Sequence, residues 1–166
     1  MTVDIESRQD QDALTYTFVM QFDASVERVW QVWEDPRQLE RWWGPPTWPA
    51  TFDQHELSVG SESKYYMTGP DGDTAPGWWV IDLVEPHTRI EFTDGFSDRD
   101  RNHDDSLPRT HTVVTLDDLG GATRMTIVSR FGSFDQMKQL TEMGMLEGMT
   151  LALGQIEGIL ASTLKR

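Results

Sequence analysis

The chain has 166 residues, of which 37% are hydrophobic, and this length and composition are typical of one globular domain with a substantial core. It carries 14 Lys and Arg residues against 28 Asp and Glu residues, and the net charge of -14 argues against binding to nucleic acid or to an anionic membrane surface. Cysteine is absent, which excludes disulfide bonds and thiolate chemistry. Neither a signal-peptide pattern nor a membrane-spanning apolar run is found, so the expected location is the cytoplasm.

The polar N-terminal stretch, residues 1–12, is predicted to be a disordered tail, and a single domain is predicted over residues 13–166. Residues 13–22 alternate strictly between apolar and polar side chains, which predicts a half-buried first strand. The apolar side of this strand carries Leu14, Tyr16, Phe18, Met20 and Phe22.

Two short helices are predicted after the first strand. Ser25 is a suitable N-cap for the first helix. Its apolar stripe consists of Val26, Val29, Trp30 and Trp33. The pair Asp35-Pro36 ends this helix and begins a second one over residues 36–43, with Asp as the cap and Pro in the first turn.

From residue 50 to residue 131 the apolar pattern changes to a period of two, which predicts six further strands joined by turns. The predicted strands are Ala50–Val59, Ser63–Thr68, Trp78–Val84, Arg89–Phe96, Thr110–Asp117 and Thr123–Phe131. Between the last two hairpins, the charged segment Ser97 to Pro108 is too long for a tight turn. A plain loop is preferred over a mobile lid for this segment.

The C-terminal stretch, Ser133 to Leu164, is predicted to form one long helix, because it lacks proline and repeats apolar residues three and four apart. Ser133 and Gln136 form a capping-box start, and Lys165 and Arg166 would lie at the negative end of the helix dipole. Gly144 and Gly148 fall inside this helix. Close approach of a strand, a kink that opens a cavity, or simple packing would each account for them.

This order of elements predicts an α+β domain in which a curved, seven-stranded antiparallel sheet wraps around the long C-terminal helix. A helix with one apolar stripe needs a sheet face to cover that stripe. The large aromatic residues on the inner face of the strands are suited to this role.

Several segments of the chain resemble the SRPBCC (START and birch-pollen-allergen-like) superfamily. Within it they are similar to the C-terminal domain of the activator of heat-shock-protein-90 ATPase. The segments that carry the resemblance are FDASVERVWQVWEDPRQLERWWGP, VGSESKYYMTGPDG, VEPHTRIEFT, GGATRMTIVSRF and MGMLEGM. The resemblance covers nearly the whole chain and implies a helix-grip fold, which generally leaves a cavity between helix and sheet.

Aromatic and methionine residues are the candidates for the walls of such a cavity. Tryptophans around Gly44 could form its mouth, although an apolar plug over the sheet is preferred, and the methionines could line a pocket or fill ordinary core. The candidate ligand-binding residues are Trp43, Trp48, Tyr65, Met67, Trp79, Phe92, Val114, Met125, Met145, Met149 and Leu153.

No catalytic residue, metal site or cofactor is predicted. The histidines show no metal-ligand spacing, and the carboxylates are scattered. The histidines are His55, His87, His103 and His111. Asp82 has the parity of the outer face of its strand.

The preferred function is a binding protein for an apolar small molecule, such as a lipid, a polyketide or another aromatic compound. A cyclase- or hydrolase-type enzyme would need polar groups that converge in the cavity. A co-chaperone-like interaction domain is the third hypothesis, although the resemblance covers only one domain of that activator. An edge strand or the tryptophans of the second helix could support a homodimer.

Overall fold

The computed structural model describes residues 5–163 of the chain. The strands are β1 (Glu6–Asp10), β2 (Thr15–Phe22), β3 (Ala50–Gln54), β4 (Glu62–Thr68), β5 (Thr74–Glu85), β6 (Arg89–Phe96), β7 (Thr110–Asp118) and β8 (Thr123–Phe131). The helices are α1 (Val26–Glu34), α2 (Pro36–Leu39), α3 (Phe134–Glu142), α4 (Met145–Leu153) and α5 (Ile156–Thr163). Leu164, Lys165 and Arg166, predicted at the end of the last helix, lie outside the described residues.

The described strands form one antiparallel sheet in the order β1-β2-β8-β7-β6-β5-β4-β3. This sheet has eight strands, one more than predicted. The additional strand, β1, lies within the predicted disordered tail and pairs with β2 from Glu6↔Val19 to Asp10↔Thr15. All five side chains of β1 are exposed. Backbone hydrogen bonds define this strand, and for that reason apolar periodicity could not predict it.

One face of the sheet packs against the helices and forms the main core. Ile81, Phe92 and Ile127 contribute to this core from the sheet, and Leu153 and Ile156 contribute from the C-terminal helices. The predicted α+β class, with an antiparallel sheet around a C-terminal helical segment and two short helices after a strand, is confirmed. No helix among residues 5–163 combines the length and apolarity needed to cross a membrane.

Two predicted elements are shorter than expected. The second helix ends at Leu39, so that Trp42 and Trp43 lie in the turn that follows it. The predicted strand Ala50–Val59 ends at Gln54, after an irregularity in its pairing with β4 between Phe52 and Gln54.

The predicted single C-terminal helix is divided into three helices. The predicted cap is present, because the Ser133 side chain accepts a hydrogen bond of 3.1 Å from the Gln136 backbone. The first break is at Gly144, whose φ of 88° lies in the left-handed region. The second follows Leu153, where the Gln155 side chain donates a 2.8 Å hydrogen bond to the Gly44 carbonyl and so ties the break to the loop after α2.

Alanine substitutions at Gly144 and Gly148 are expected to have opposite effects. Gly144→Ala should lower the free energy of unfolding by about 1–2 kcal/mol, because an L-residue is strained at positive φ. Gly148→Ala should raise it by about 0.5–1 kcal/mol, because this helical glycine has open space where a Cβ would lie. Urea unfolding of both variants measures the difference. Two effects of the same sign would show that backbone conformation does not control the break.

Candidate functional site

A cavity of about 400 Å³ lies between the sheet and the helices α3 and α4. Strands β4 to β8 supply its floor, the turn after α2 supplies one wall, and the break between α3 and α4 supplies another. The lining residues are Trp43, Pro45, Trp48, Tyr65, Met67, Ala75, Asp94, Gly95, Phe96, Pro108, Thr110, Thr112, Ser129, Leu140, Met143, Gly144, Met145, Gly148 and Met149.

The walls of the cavity are mainly aromatic rings and methionines. Trp43 is buried and meets Tyr65 edge to face, with 6.1 Å between the ring centroids. Six of the residues predicted to bind a ligand line the cavity, namely Trp43, Trp48, Tyr65, Met67, Met145 and Met149. The break at Gly144 places the last two methionines on a separate helix, α4, which covers the cavity.

The other five predicted residues do not line the cavity and belong to the packed core instead. Trp79 is completely buried and stacks on Phe92, with 4.1 Å between the ring centroids. The Met125 sulfur accepts a hydrogen bond from the Trp33 indole nitrogen at 3.3 Å. Val114 and Leu153 are buried in the same core. The predicted role of these five as cavity walls is therefore corrected, because their space is already filled by other side chains.

A group of polar side chains lies on the cavity floor, where three neighbouring strands meet. Asp94 on β6 pairs with Thr110 on β7, and Thr112 on β7 pairs with Ser129 on β8. The last three are buried, with exposed fractions of 7%, 5% and 2% respectively. We call these four residues the polar floor. They provide one carboxyl and three hydroxyl groups beneath an otherwise apolar cavity.

Asp94 supplies the carboxyl group of the cavity lining. Removal from bulk water raises the pKa of its carboxyl group to about 7, although the Thr112 hydroxyl and its own backbone N–H partly oppose the increase. The Thr112 hydroxyl donates a long hydrogen bond of 3.4 Å to Asp94 Oδ1. Asp94 as a residue is half-buried and lines the cavity. Asp94 can therefore exchange a proton near neutral pH within reach of a bound molecule.

Tyr65 is the second titratable side chain on the cavity wall. Burial raises the pKa of its phenol, and the nearby Asp94 carboxyl raises this pKa further. The phenol therefore stays neutral at physiological pH. Its ring lies over Gly77 on the neighbouring strand, where a Cβ would come within 2.4 Å of the Tyr65 hydroxyl oxygen. Glycine at position 77 thus makes room for Tyr65 at the cavity wall.

None of the four residues of the polar floor was among the predicted site residues, although the sequence contains a signal for Asp94. Ile90 and Phe92 are the apolar, buried residues of the strand Arg89–Phe96, and Asp94 is the next residue with the same parity. Thr112 has the same parity as the apolar Val114 and Leu116, but its position beside Asp94 depends on the pairing of β6 with β7.

The histidines do not contribute to the cavity lining. Burial lowers the pKa of His55, which donates to the Trp33 carbonyl at 2.8 Å and lies 2.8 Å from the Ser63 hydroxyl. His111 lies beside Asp82 and Glu91, on the face away from the helices. Among residues 5–163 no three His, Asp or Glu side chains form a group that could hold a metal ion.

The segment from Ser97 to Pro108 is held against the outer face of the sheet. The His103 ring stacks on Trp78, with 3.7 Å between the ring centroids, and also pairs with Glu62. Its last residue, Pro108, reaches the cavity. These contacts favour the plain-loop interpretation of this segment.

The chain is similar to one known protein family and to several solved structures. The family model described as "Activator of Hsp90 ATPase homolog 1-like protein" matches residues 23–161. A solution NMR structure of a protein from Arthrobacter aurescens is 52% identical, with a TM-score of 0.91, over 96% of this chain and 92% of that one. A crystal structure of a protein from Mycobacterium smegmatis is 41% identical, with a TM-score of 0.87, over 95% and 96% of the two chains.

A third structure, of the AHSA1 protein from Silicibacter pomeroyi, shares the fold at 23% identity. Its TM-score is 0.70, and the match covers 89% of this chain and 97% of that one. None of the curated proteins matches the chain.

Proposed function

Because the chain belongs to the Activator of Hsp90 ATPase homolog 1-like family, within the SRPBCC superfamily, we propose that it binds a small apolar or aromatic molecule. The ligand occupies the cavity between the sheet and helices α3 and α4. The observation that carries this proposal is the cavity itself, whose volume of about 400 Å³ falls in the range of small-molecule sites. Its walls are mainly apolar, and a few polar groups are gathered at one place on its floor, as in sites that orient a ligand.

The methionines support a site that adapts to its ligand. Met67, Met143, Met145 and Met149 contribute flexible, polarisable side chains to the wall. Two of these lie on α4, which begins at the left-handed Gly144 without a side-chain cap. The wall formed by α4 can therefore adjust to ligands of different shape more readily than the rigid sheet.

A thermal-shift panel of fatty acids, polycyclic aromatics, isoprenoids and their amine and alcohol derivatives tests the proposal. A ligand at 100 times its Kd stabilises the protein by about 2.7 kcal/mol. For a domain of this size we expect an increase in Tm of about 5–10 °C. Met149→Glu should abolish the increase, because it places a charge in the cavity wall.

Leu151→Glu is the matched control, since Leu151 lies on the same helix but is 55% exposed. This variant should retain the full increase in Tm. If no compound raises the Tm of the unmodified protein, the binding function is refuted. If both glutamate variants lose the increase equally, the ligand does not occupy this cavity.

A second candidate function is a cyclase- or hydrolase-type enzyme, and Asp94 is the observation that favours it. A carboxyl group with a pKa of about 7 is suited to general acid or base catalysis near neutral pH. Incubation with each compound that binds, followed by mass spectrometry, distinguishes the two functions. Product formation that depends on pH and is lost in Asp94→Asn would support the enzyme, whereas recovery of unchanged compound supports binding alone.

A further inference from the structure

The cavity lining is unusual in its charge. Of its side chains, Asp94 is the only carboxyl group, and no Lys, Arg or His is present among the described residues that line the cavity. The other titratable group, Tyr65, is held neutral by burial. Any charge that the lining presents to a ligand is therefore negative and comes from one position on the polar floor.

An anionic ligand finds no counter-ion in this cavity. A carboxylate or phosphate group that loses its hydration needs a cationic partner or several hydrogen-bond donors. Here it would instead lie near the Asp94 carboxylate, within a protein of net charge -14. Fatty acid anions and phospholipid headgroups are thus disfavoured by the same walls that accept their apolar chains.

A cationic ligand finds both a counter-ion and suitable neighbours. The Asp94 carboxylate can pair with a protonated nitrogen, and hydroxyl groups of the polar floor can accept further N–H hydrogen bonds. Trp43, Trp48 and Tyr65 present aromatic rings along the wall, and ring faces attract cations. The negative charge of the whole protein also raises the local concentration of cations.

We propose that the ligand is a lipophilic amine, with an apolar or aromatic body in the methionine-lined part of the cavity and one protonated nitrogen paired with the Asp94 carboxylate. This inference rests on the proposed binding function and specifies its ligand class. It is carried by the position of a lone carboxyl group beside aromatic walls in a cavity without cationic side chains.

The pairing makes binding dependent on pH in a defined direction. A protonated amine pairs with the ionised form of Asp94, and this form predominates above the carboxyl pKa of about 7. Lowering the pH from about 8 to about 6 should weaken amine binding about tenfold, because the carboxyl group must first release its proton. A neutral alcohol of the same shape should bind with little dependence on pH.

Calorimetric titration with three matched compounds tests the proposal, namely 2-naphthylethylamine, 2-naphthylethanol and 2-naphthylacetic acid. At about pH 8 the amine should bind at least tenfold more tightly than the alcohol, and the acid should bind most weakly. In Asp94→Asn the amine should lose its advantage over the alcohol. Asp82→Asn removes the same charge from an exposed position on the outer face and should preserve the advantage.

Equal binding of amine and alcohol, tightest binding of the acid, or an unchanged amine preference in Asp94→Asn would each overturn the inference. In these cases the alcohol or the acid still binds, and the proposed binding function stands. If none of the three compounds binds and the wider panel of compounds also fails, the binding function itself is refuted together with the inference.

Discussion

Asp94→Asn is expected to make the protein more stable at pH 8 than the unmodified chain. Above its folded-state pKa of about 7, Asp94 must carry a charge in a place that favours the neutral form. The difference of about three pH units from an ordinary carboxyl group corresponds to at most about 4 kcal/mol. Because Asp94 is only half-buried and borders the cavity, its charge is partly screened, and we expect a gain of about 2 kcal/mol. Asparagine has nearly the same shape and carries no charge.

The gain should depend on pH with a definite sign. Asp94 has a pKa of 3.8 in the unfolded chain and of about 7 in the folded protein. Well below pH 3.8 both states are protonated, so the charge contributes nothing to the difference between the proteins. As the pH rises to about 7, the unfolded chain releases this proton first, and the unmodified protein loses stability relative to the variant. Above pH 7 the difference is complete and constant.

Urea unfolding of both proteins at several pH values between 4 and 8 measures this difference directly. The comparison of the two proteins cancels the contributions of other titrating groups, including His55. The lowered pKa of His55 makes the stability of both proteins fall as the pH falls below about 6.5, which is opposite in sign to the effect of Asp94. Asp82→Asn provides the control for removal of one negative charge and should show no increase of this kind. A constant difference between Asp94→Asn and the unmodified protein from pH 4 to pH 8 would contradict the assignment.

Trp79→Ala is expected to lower the free energy of unfolding by about 3–5 kcal/mol, because a fully buried indole leaves a large void. Trp79 contacts Trp43, with 4.7 Å between ring centroids, and stacks on Phe92 at 4.1 Å. It therefore connects the wall of the cavity with the core of the domain. Equilibrium unfolding in urea measures the loss.

Trp48→Ala is the matched comparison, because Trp48 lines the cavity and is only partly buried. The free energy of unfolding of the Trp48→Ala variant should fall by less than about 2 kcal/mol, since less apolar area is lost from a packed environment. The main effect of this variant should be on ligand binding, with an affinity for the cavity ligand that is about tenfold lower. The reverse pattern, with Trp48 as the larger contributor to stability, would contradict the assignment of Trp79 to the packed core and of Trp48 to the cavity wall.

Trp79 and Trp48 show how this domain can be stable and still contain an open cavity. Packing is complete around Trp33, Trp79 and Phe92, where the centroids of Trp33 and Trp79 lie 6.2 Å apart. The cavity begins beyond Trp43 and Tyr65, where α4 leaves space over the polar floor. The core therefore stabilises the fold, and the residues above the polar floor are available to contact a ligand.

Local patterns in the sequence determined much of the fold. The predicted strands Arg89–Phe96 and Thr123–Phe131 agree with β6 and β8 at both ends, because alternation and turn residues act over a few neighbours. The helix starts at Ser25, Asp35 and Ser133 were also predictable, since each cap is a contact between residues close in sequence.

Only the tertiary structure determines whether a residue on the inner face of the sheet lines the cavity or is buried in the core. Tyr65 and Trp79 both have inward parity, yet one lines the cavity and the other is buried in core. Alternation identifies the face of a strand but not what lies above it. That depends on the break at Gly144, which separates α4 from α3, and on the strand pairing that brings Asp94 beside Thr110 and Thr112. The strand pairing is a contact between distant residues, and no short stretch of sequence specifies it. The break is local, but a glycine inside an apolar helical pattern is also compatible with an unbroken helix, so its φ of 88° could not be predicted from the sequence.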